Sequence, residues 1–403
     1  MDLNQGSVFE HELNHYLSAL SNFHSQKSLE RSSLYQALKT KVSEVLGSYE
    51  LKNWAPSPSP EPFYRAVAWN VERGMNFEGL LHVLATHPIV AKADIHLFTE
   101  IDLGMARSGN RNVTRELAEK LGMNYFFVPS YFNISKGCGI ESEIEGENTL
   151  GIQGNSILSR YPIEKPETVA LPSAVDKMKG REKRLGNIQA LIATIDLGGR
   201  AVRAACVHLD QRSSQEHRRI QMERVIEALR QQGHGPVLIG GDWNTHTYDT
   251  HNALSAIMGF WIRVARGVKR SMKSYYPHPD RFFERRLFNM LEQNGFDYKG
   301  CNVLGGCTFH YSTADLKQYK SLGEWIPGWG FRFLERALAP YDGQCSFKLD
   351  WFAQKGLRIL GEGERAGDRK GYSISPRIIG NLTHNNQAAS DHDPIVLDFC
   401  HRS

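Results

Sequence analysis

From Tyr64 onward the chain alternates short apolar runs with helical segments, and this alternation limits its fold more than any other feature. "YRAVAWN" and "DIHLFTE" read as buried strands. Between them, "NFEGLLHVL" places Phe77, Leu80, Leu81 and Leu84 on one helix face. A second helix, Val113 to Leu121, stops at Gly122 and leads into the strand-like "NYFFVPS". A third, in "SSQEHRRIQMERVIEALRQQG", has Ser213 or Ser214 as its cap, an apolar stripe of Met222, Val225, Ile226 and Leu229, and Gly233 as its stop. Elements in this order predict a layered α/β fold that carries its functional groups where strands end.

The polar residues that end these runs are chemically coherent. Asn70 follows "AVAW", Glu100 follows "IHLFT", Asn155 precedes "SILSRYPI", His208 follows "RAACV", Asp242 follows "VLIGG" and Asp350 follows "FKL". "SDHDP", Ser390 to Pro394, stands before the strand-like "IVLDF". Taken singly, an Asp or Asn at a strand end reads as a turn residue, and a strand histidine as a hydrogen-bonded core group. Together they would put carboxylates, amides and imidazoles over one rim. Asn70, Glu100, Asp242, Asn244 and Asp391 are oxygen donors suited to Mg²⁺, with Mn²⁺ as the alternative. His208 and His392 would then be free to move protons or steady a phosphoryl oxygen, with Asp350 as a candidate to fix one tautomer.

Before Tyr64 the chain reads differently. Residues 1–62 combine helical spacing (Leu13, Tyr16, Leu17, Leu20, then Leu34, Leu38, Val42, Val45, Leu46) with the stiff "APSPSPEP". This predicts a helical N-terminal extension, either a helical pair packed on the main domain or a partner-binding arm, ahead of a domain at 63–403. The irregular stretch at about 246–346 reads as an insertion in that domain. The formal charge of +4 on 403 residues indicates no uniform basic field. Six cysteines without CxxC spacing, and no HExxH, argue against a thiolate zinc site. No basic leader precedes an apolar core and no run suits a membrane span, so a cytoplasmic protein is expected, with peripheral membrane contact not indicated. No protein partner is identifiable.

The ordered set "WNVERG", "FTEID", "GIQGNSILSRYPI", "CVHLDQRSSQEHRRIQ", "GGDWNT", "KLDWF" and "SDHDPIVL" resembles the endonuclease/exonuclease/phosphatase superfamily, most specifically in "GDWN" and "SDHDP". The resemblance covers about Arg65 to Phe399 outside the insertion. It implies a two-layer mixed β-sandwich flanked by helices, the deoxyribonuclease-like four-layer sandwich. It also implies metal-site roles for Asn70 and Glu100, with Asp391 close to the metal. By the same resemblance Asp242 orients or deprotonates water, Asn244 holds a phosphate oxygen, and His392 contacts the scissile phosphate with Asp350 as its orienting partner. His208 matches a histidine of the deoxyribonuclease and sphingomyelinase branches. Whether Asp242 or His392 is the base stays open.

Asn155, Arg160 and Arg184 are the candidate substrate-binding residues, Arg181 and Lys183 lying beside the last; solvated loop cations are the alternative reading for the basic ones. The insertion carries eight Lys/Arg between Arg263 and Arg286, interleaved with aromatics. That mixture suits either a nucleic-acid backbone and its bases or the two faces of surface helices. Trp325, Trp329, Phe331 and Phe333 read as insertion core, or as a lid or lipid-facing group. A divalent-metal-dependent phosphoesterase cleaving a phosphodiester is expected, with DNA or RNA as leading substrate. A lipid headgroup or small phosphorylated metabolite comes second, and a non-catalytic binding module on the same fold third.

Overall fold

A computed structural model of the chain describes residues 9–246, 265–312, 338–341, 343–365 and 371–402, with isolated positions 258, 259, 262 and 336. Among the described residues, the larger sheet holds nine strands: β1 (Glu50–Lys52), β2 (Tyr64–Arg73), β3 (Ile95–Leu103), β4 (Asn124–Asn133), β5 (Ile152–Ser159), β7 (Arg184–Gly186), β14 (Leu357–Ile359), β15 (Arg377–Ile378) and β18 (Ile395–His401). The smaller holds five: β6 (Ile163–Ala170), β8 (Gln189–Asp196), β9 (Ala201–Cys206), β10 (Val237–Asp242) and β13 (Asp350–Lys355). Two hairpins stand apart, β11 (Phe309–Ser312) with β12 (Gln344–Phe347), and β16 (Thr383–His384) with β17 (Gln387–Ala388).

Both faces of each sheet are covered, which explains the near-continuous apolar runs. Ala66, Ala68, Ile95, Leu97 and Ile157 of the larger sheet meet Leu191, Ala193, Ala204, Leu238 and Phe352 of the smaller one in the inter-sheet core. Val67, Trp69 and Phe98 point the other way, under the helices Phe77–Thr86 and Val113–Leu121. On the far side, Ala205, Ile239 and Trp351 pack under the helices Gln215–Gln231 and Arg285–Gln293. The result is the expected four-layer α/β sandwich. Ser214 is the cap of the Gln215–Gln231 helix, its hydroxyl accepting from His217 N–H, and Gly122 ends Val113–Leu121 in a left-handed conformation.

The N-terminal segment is built into this sandwich. β1 pairs with β4, and Leu13, Leu20, Leu29, Val42 and Val45 join the core on the outer face of the larger sheet. Asp176 accepts from Gln26 N–H, and Lys183 Nζ donates to the Ser21 carbonyl, so these short helices also brace the loop ahead of β7.

Strand direction collects the functional residues. β2 runs parallel to β3, and β9 parallel to β10, so Asn70, Glu100, His208 and Asp242 lie toward the carboxyl ends of two parallel pairs. β13 and β18 run antiparallel to their neighbours, so their amino-terminal approaches, with Asp350 and His392, reach the same end.

Candidate active site

Two glycines let Asp242 sit where it does. A Cβ on Gly240 would come within 2.6 Å of the Phe352 ring. One on Gly241, whose φ of +137° already disfavours other residues, would come within 2.2 Å of the Val207 carbonyl oxygen. The close approach of β9, β10 and β13 therefore demands the "GG" before the acid. Asp242 is directly opposite Asp350 in the β10–β13 ladder. Burial, then the neighbouring Asp350 carboxylate, push its pKa up to about 6. Its Oδ1 accepts from Asn244 N–H at 2.8 Å and its Oδ2 from Asn70 Nδ2 at 3.1 Å. Asn244, at φ +48°, turns back to donate Nδ2 to the Leu209 carbonyl at 3.0 Å.

Glu100 is aimed by an irregularity in its strand. The β3–β5 register shifts between Phe98 and Ile101, and Glu100 itself has φ +53°. Asn155 locks this bend: its Oδ1 accepts from Glu100 N–H at 3.2 Å, while its Nδ2 donates to the Gln189 carbonyl in the other sheet at 2.9 Å. Burial alone would raise the Glu100 pKa, but Arg73, then His208, His392 and Arg184, hold it down to about 2. Arg73 Nη2 lies 3.5 Å from its Oε2. His208 Nε2 lies 3.8 Å from Glu100 Oε1 and 3.7 Å from Asp242 Oδ2, which places the ring between the two acids.

On the opposite wall, His392 Nδ1 is 2.8 Å from Asp350 Oδ2. Burial opposes protonation of this imidazole, but Asp350, then Asp391 and Asp242, outweigh it and raise the pKa well above the ordinary value. Nδ1 is committed to Asp350, and the upward shift favours the imidazolium form of the ring, which leaves Nε2 outside that pair. The fully buried Trp69 fixes the backbone here, its Nε1 donating to the His392 carbonyl at 2.7 Å. Ser390 Oγ donates to the Asn70 carbonyl and accepts from His392 N–H. Asp391 is exposed at the rim, with its N–H donating to Glu72 Oε2 at 3.1 Å.

Among the described residues, no three or more His, Cys, Asp or Glu side chains converge into a metal cage. The donor set nevertheless fits Mg²⁺: one carboxylate kept ionised at Glu100 and one amide oxygen at Asn70, a small set of hard oxygens that such an ion completes with water.

The sequence expectations for Asn155, Arg160 and Arg184 divide here. Arg184 stays beside the site, its guanidinium 4.1 Å from the Tyr131 ring centroid and Nη1 donating to Gln153 Oε1 at 3.2 Å. Asn155 is spent on bracing Glu100. Arg160 lies at the other end of the sheet: it follows Ser159, which pairs with Ile95 at the start of β3, and it donates to the carbonyls of Ala93 and Ala91, both at 2.9 Å. A cation there ties a loop at the end of β3 away from Glu100. Arg73 and Glu72 were missed as contributors; their signal was two charges inside the strand motif "WNVERG", held at φ +65° and +44° where the β2–β3 register shifts.

Two acids and an imidazole at parallel strand ends, with a second imidazole on the approach to β18, over a sandwich of two sheets, make an arrangement of the phosphoesterase type. A profile described as the Endonuclease/Exonuclease/phosphatase family matches residues 67–340, more than half of the chain, and the chain belongs to that family. It is 36% identical over 145 residues to the uncharacterized protein YbhP of Escherichia coli (strain K12), and equally to that of Shigella flexneri. That match takes in 36% of this chain, which spans 53% of the length of those relatives. Solved structures similar to it include an endonuclease/exonuclease/phosphatase from Beutenbergia cavernae DSM 12333, with 15% identity, 84% of this chain and 72% of that chain covered, and a TM-score of 0.45. The human Nocturnin catalytic domain with bound sulfate matches at 13% identity, 87% and 98% coverage, and a TM-score of 0.45.

Proposed function

We propose that the protein is a Mg²⁺-dependent phosphoesterase that hydrolyses a phosphodiester, with nucleic acid as its leading substrate class. The observation that carries this reading is the position of His208 Nε2, 3.8 Å from Glu100 and 3.7 Å from Asp242, across from the His392–Asp350 pair. Glu100 and Asn70, with Asp391 beside them, would hold Mg²⁺ or Mn²⁺, which when bound offsets phosphate charge. Asp242 is the base in this scheme: with its pKa near 6 it is largely ionised at neutral pH and basic enough to accept a proton from an attacking water. Asn70 and Asn244 orient its two oxygens. The His392 imidazolium donates from Nε2 to a phosphate oxygen, where charge builds in the transition state. His208 carries a proton to the leaving oxygen.

The nucleic-acid reading is supported by the exposed cations Lys269, Arg270, Lys273, Arg281, Arg285 and Arg286. Of the aromatics among them, Phe282 is 46% exposed, while the two tyrosines give no matching support. Tyr275 and Tyr276 are each 7% exposed, Tyr275 packed on Phe282 and Phe283 and Tyr276 on Phe347, so neither offers a face to a base. The burial of the two tyrosines leaves room for the second reading, a small phosphorylated metabolite or lipid headgroup. Trp325, Trp329, Phe331 and Phe333 lie outside the described residues. A cytoplasmic location remains part of the proposal; no helix among the described residues is long and apolar enough to cross a membrane.

The test is Mg²⁺-dependent product release from single-stranded and duplex DNA, RNA, sphingomyelin and inositol phosphates, with Asp242→Ala alongside. Cleavage of one class that vanishes in the variant and on chelation names the substrate. Silence across the panel would leave the binding-module alternative standing.

A further inference from the structure

Asp350 begins β13 of the smaller sheet and His392 lies in the segment before β18 of the larger one, so no strand ladder pairs the two. A hydrogen bond of 2.8 Å across that gap needs something that registers both backbones. Three consecutive residues at the start of the β11–β12 hairpin do so. Thr308 is completely buried, and its Oγ1 accepts from the N–H groups of Leu349 at 3.2 Å and Asp350 at 3.1 Å. Its own N–H donates to the Phe347 carbonyl at 2.8 Å, and its carbonyl accepts from Asp393 N–H at 2.7 Å. One residue therefore holds the backbone of Asp350 with its side chain and the backbone next to His392 with its carbonyl.

The neighbours close the arrangement. Phe309 forms an isolated antiparallel bridge with His392, and its ring lies 4.8 Å from the imidazole at 45°. Outside it, His310 Nε2 is 3.2 Å from Asp393 Oδ2 while Nδ1 is 2.8 Å from Ser346 Oγ.

We propose that Thr308 is a positioning residue for the Asp350–His392 pair, with the His310–Asp393 contact closing the latch from the solvent side. The hairpin then belongs to the hydrolytic centre, and is more than a loop that selects substrates. This rests on the hydrolytic reading of the site for its kinetic consequence, though the geometric claim can be judged without turnover.

Thr308→Val removes the hydroxyl acceptor at nearly constant volume, Thr308→Ser keeps it, and Thr308→Cys weakens it should the valine variant not fold. Two readouts separate positioning from general stability: kcat against KM on a hydrolysed diester, and the downfield proton resonance of His392 Nδ1–H, assigned by its loss in His392→Gln. Thr308→Val, or Thr308→Cys in its place, should lower kcat about ten-fold or more with KM within about two-fold, and move or broaden that resonance. Thr308→Ser should restore both, and His310→Gln should give a smaller loss of a few-fold. A folded Thr308→Val with unchanged resonance and kcat overturns the proposal. So does a loss that Thr308→Ser fails to restore, since the methyl packing would then be responsible. If the wild type hydrolyses nothing, the function fails, and the resonance alone still decides whether Thr308 positions the pair.

Discussion

The same two strands, β2 and β18, carry a buried ion pair at one end and border another at the other, and the two are built differently. Arg65 is directly opposite Asp398 in the ladder, and both are nearly inaccessible. Arg65 Nε and Nη2 donate to the two Asp398 oxygens at 2.7 and 2.9 Å, and Ile374 N–H adds a third bond. Every acceptor position that matters is used. At the other end, Asp350 Oδ2 takes His392, but the buried Asp350 Oδ1 has no hydrogen-bond partner among the described residues and Asp242 stands directly opposite. A satisfied pair holds strands together; an under-satisfied pair beside a second acid keeps charge ready for a ligand.

The largest effect that would sharpen this contrast is on turnover. Asp242→Asn should cut kcat by about 10²–10⁴-fold on any responsive substrate while leaving the protein folded, measured by initial rates alongside a thermal melt. Asp398→Asn should do the reverse. It leaves Arg65 buried without its charge partner and should cost about 3–5 kcal/mol in denaturant unfolding, with kcat unchanged below the melting range.

The acids also predict a pH signature. The Asp242 pKa is raised on folding, so its contribution is present at low pH and lost as pH rises through about 6. In metal-free protein, Asp242→Asn should therefore melt progressively above the wild type from about pH 4 to about pH 6 and level off beyond, and a constant difference across that window would break the account. Buried His96 behaves oppositely. Burial, then Arg160, push its pKa down to about 3, so its contribution is present above the ordinary histidine value and declines as pH falls toward 3. His96→Leu should flatten that acid limb. The smallest effect belongs to Arg160→Ala, which should cost about 1–2 kcal/mol for two hydrogen bonds to Ala91 and Ala93 and change neither kcat nor KM.

Much of the sandwich was legible because buried strands and amphipathic helices have different periods. Val113–Leu121 is helical over the span its spacing predicts, and Gly122 stops it. The polar residues ending "AVAW", "IHLFT", "RAACV" and "VLIGG" meet because parallel strands share a carboxyl end, a rule that needs only the element order. What a sequence pattern cannot supply is the end of an antiparallel strand on which a flanking cation falls. Arg160 looked like its neighbours in charge and differed only in register. Thr308 gave no signal at all, since its role lies in two backbone contacts, with Asp350 and Asp393, that are distant in sequence.

The most direct test of the central claim is a Mg²⁺ titration of hydrolysis of an activated aryl phosphodiester by wild type, Glu100→Gln and Asp242→Asn. The account predicts saturable Mg²⁺ dependence in the wild type, a much weaker metal response in Glu100→Gln, and loss of turnover without loss of metal binding in Asp242→Asn. Hydrolysis that is independent of Mg²⁺, or a Glu100→Gln variant that titrates like the wild type, would contradict it.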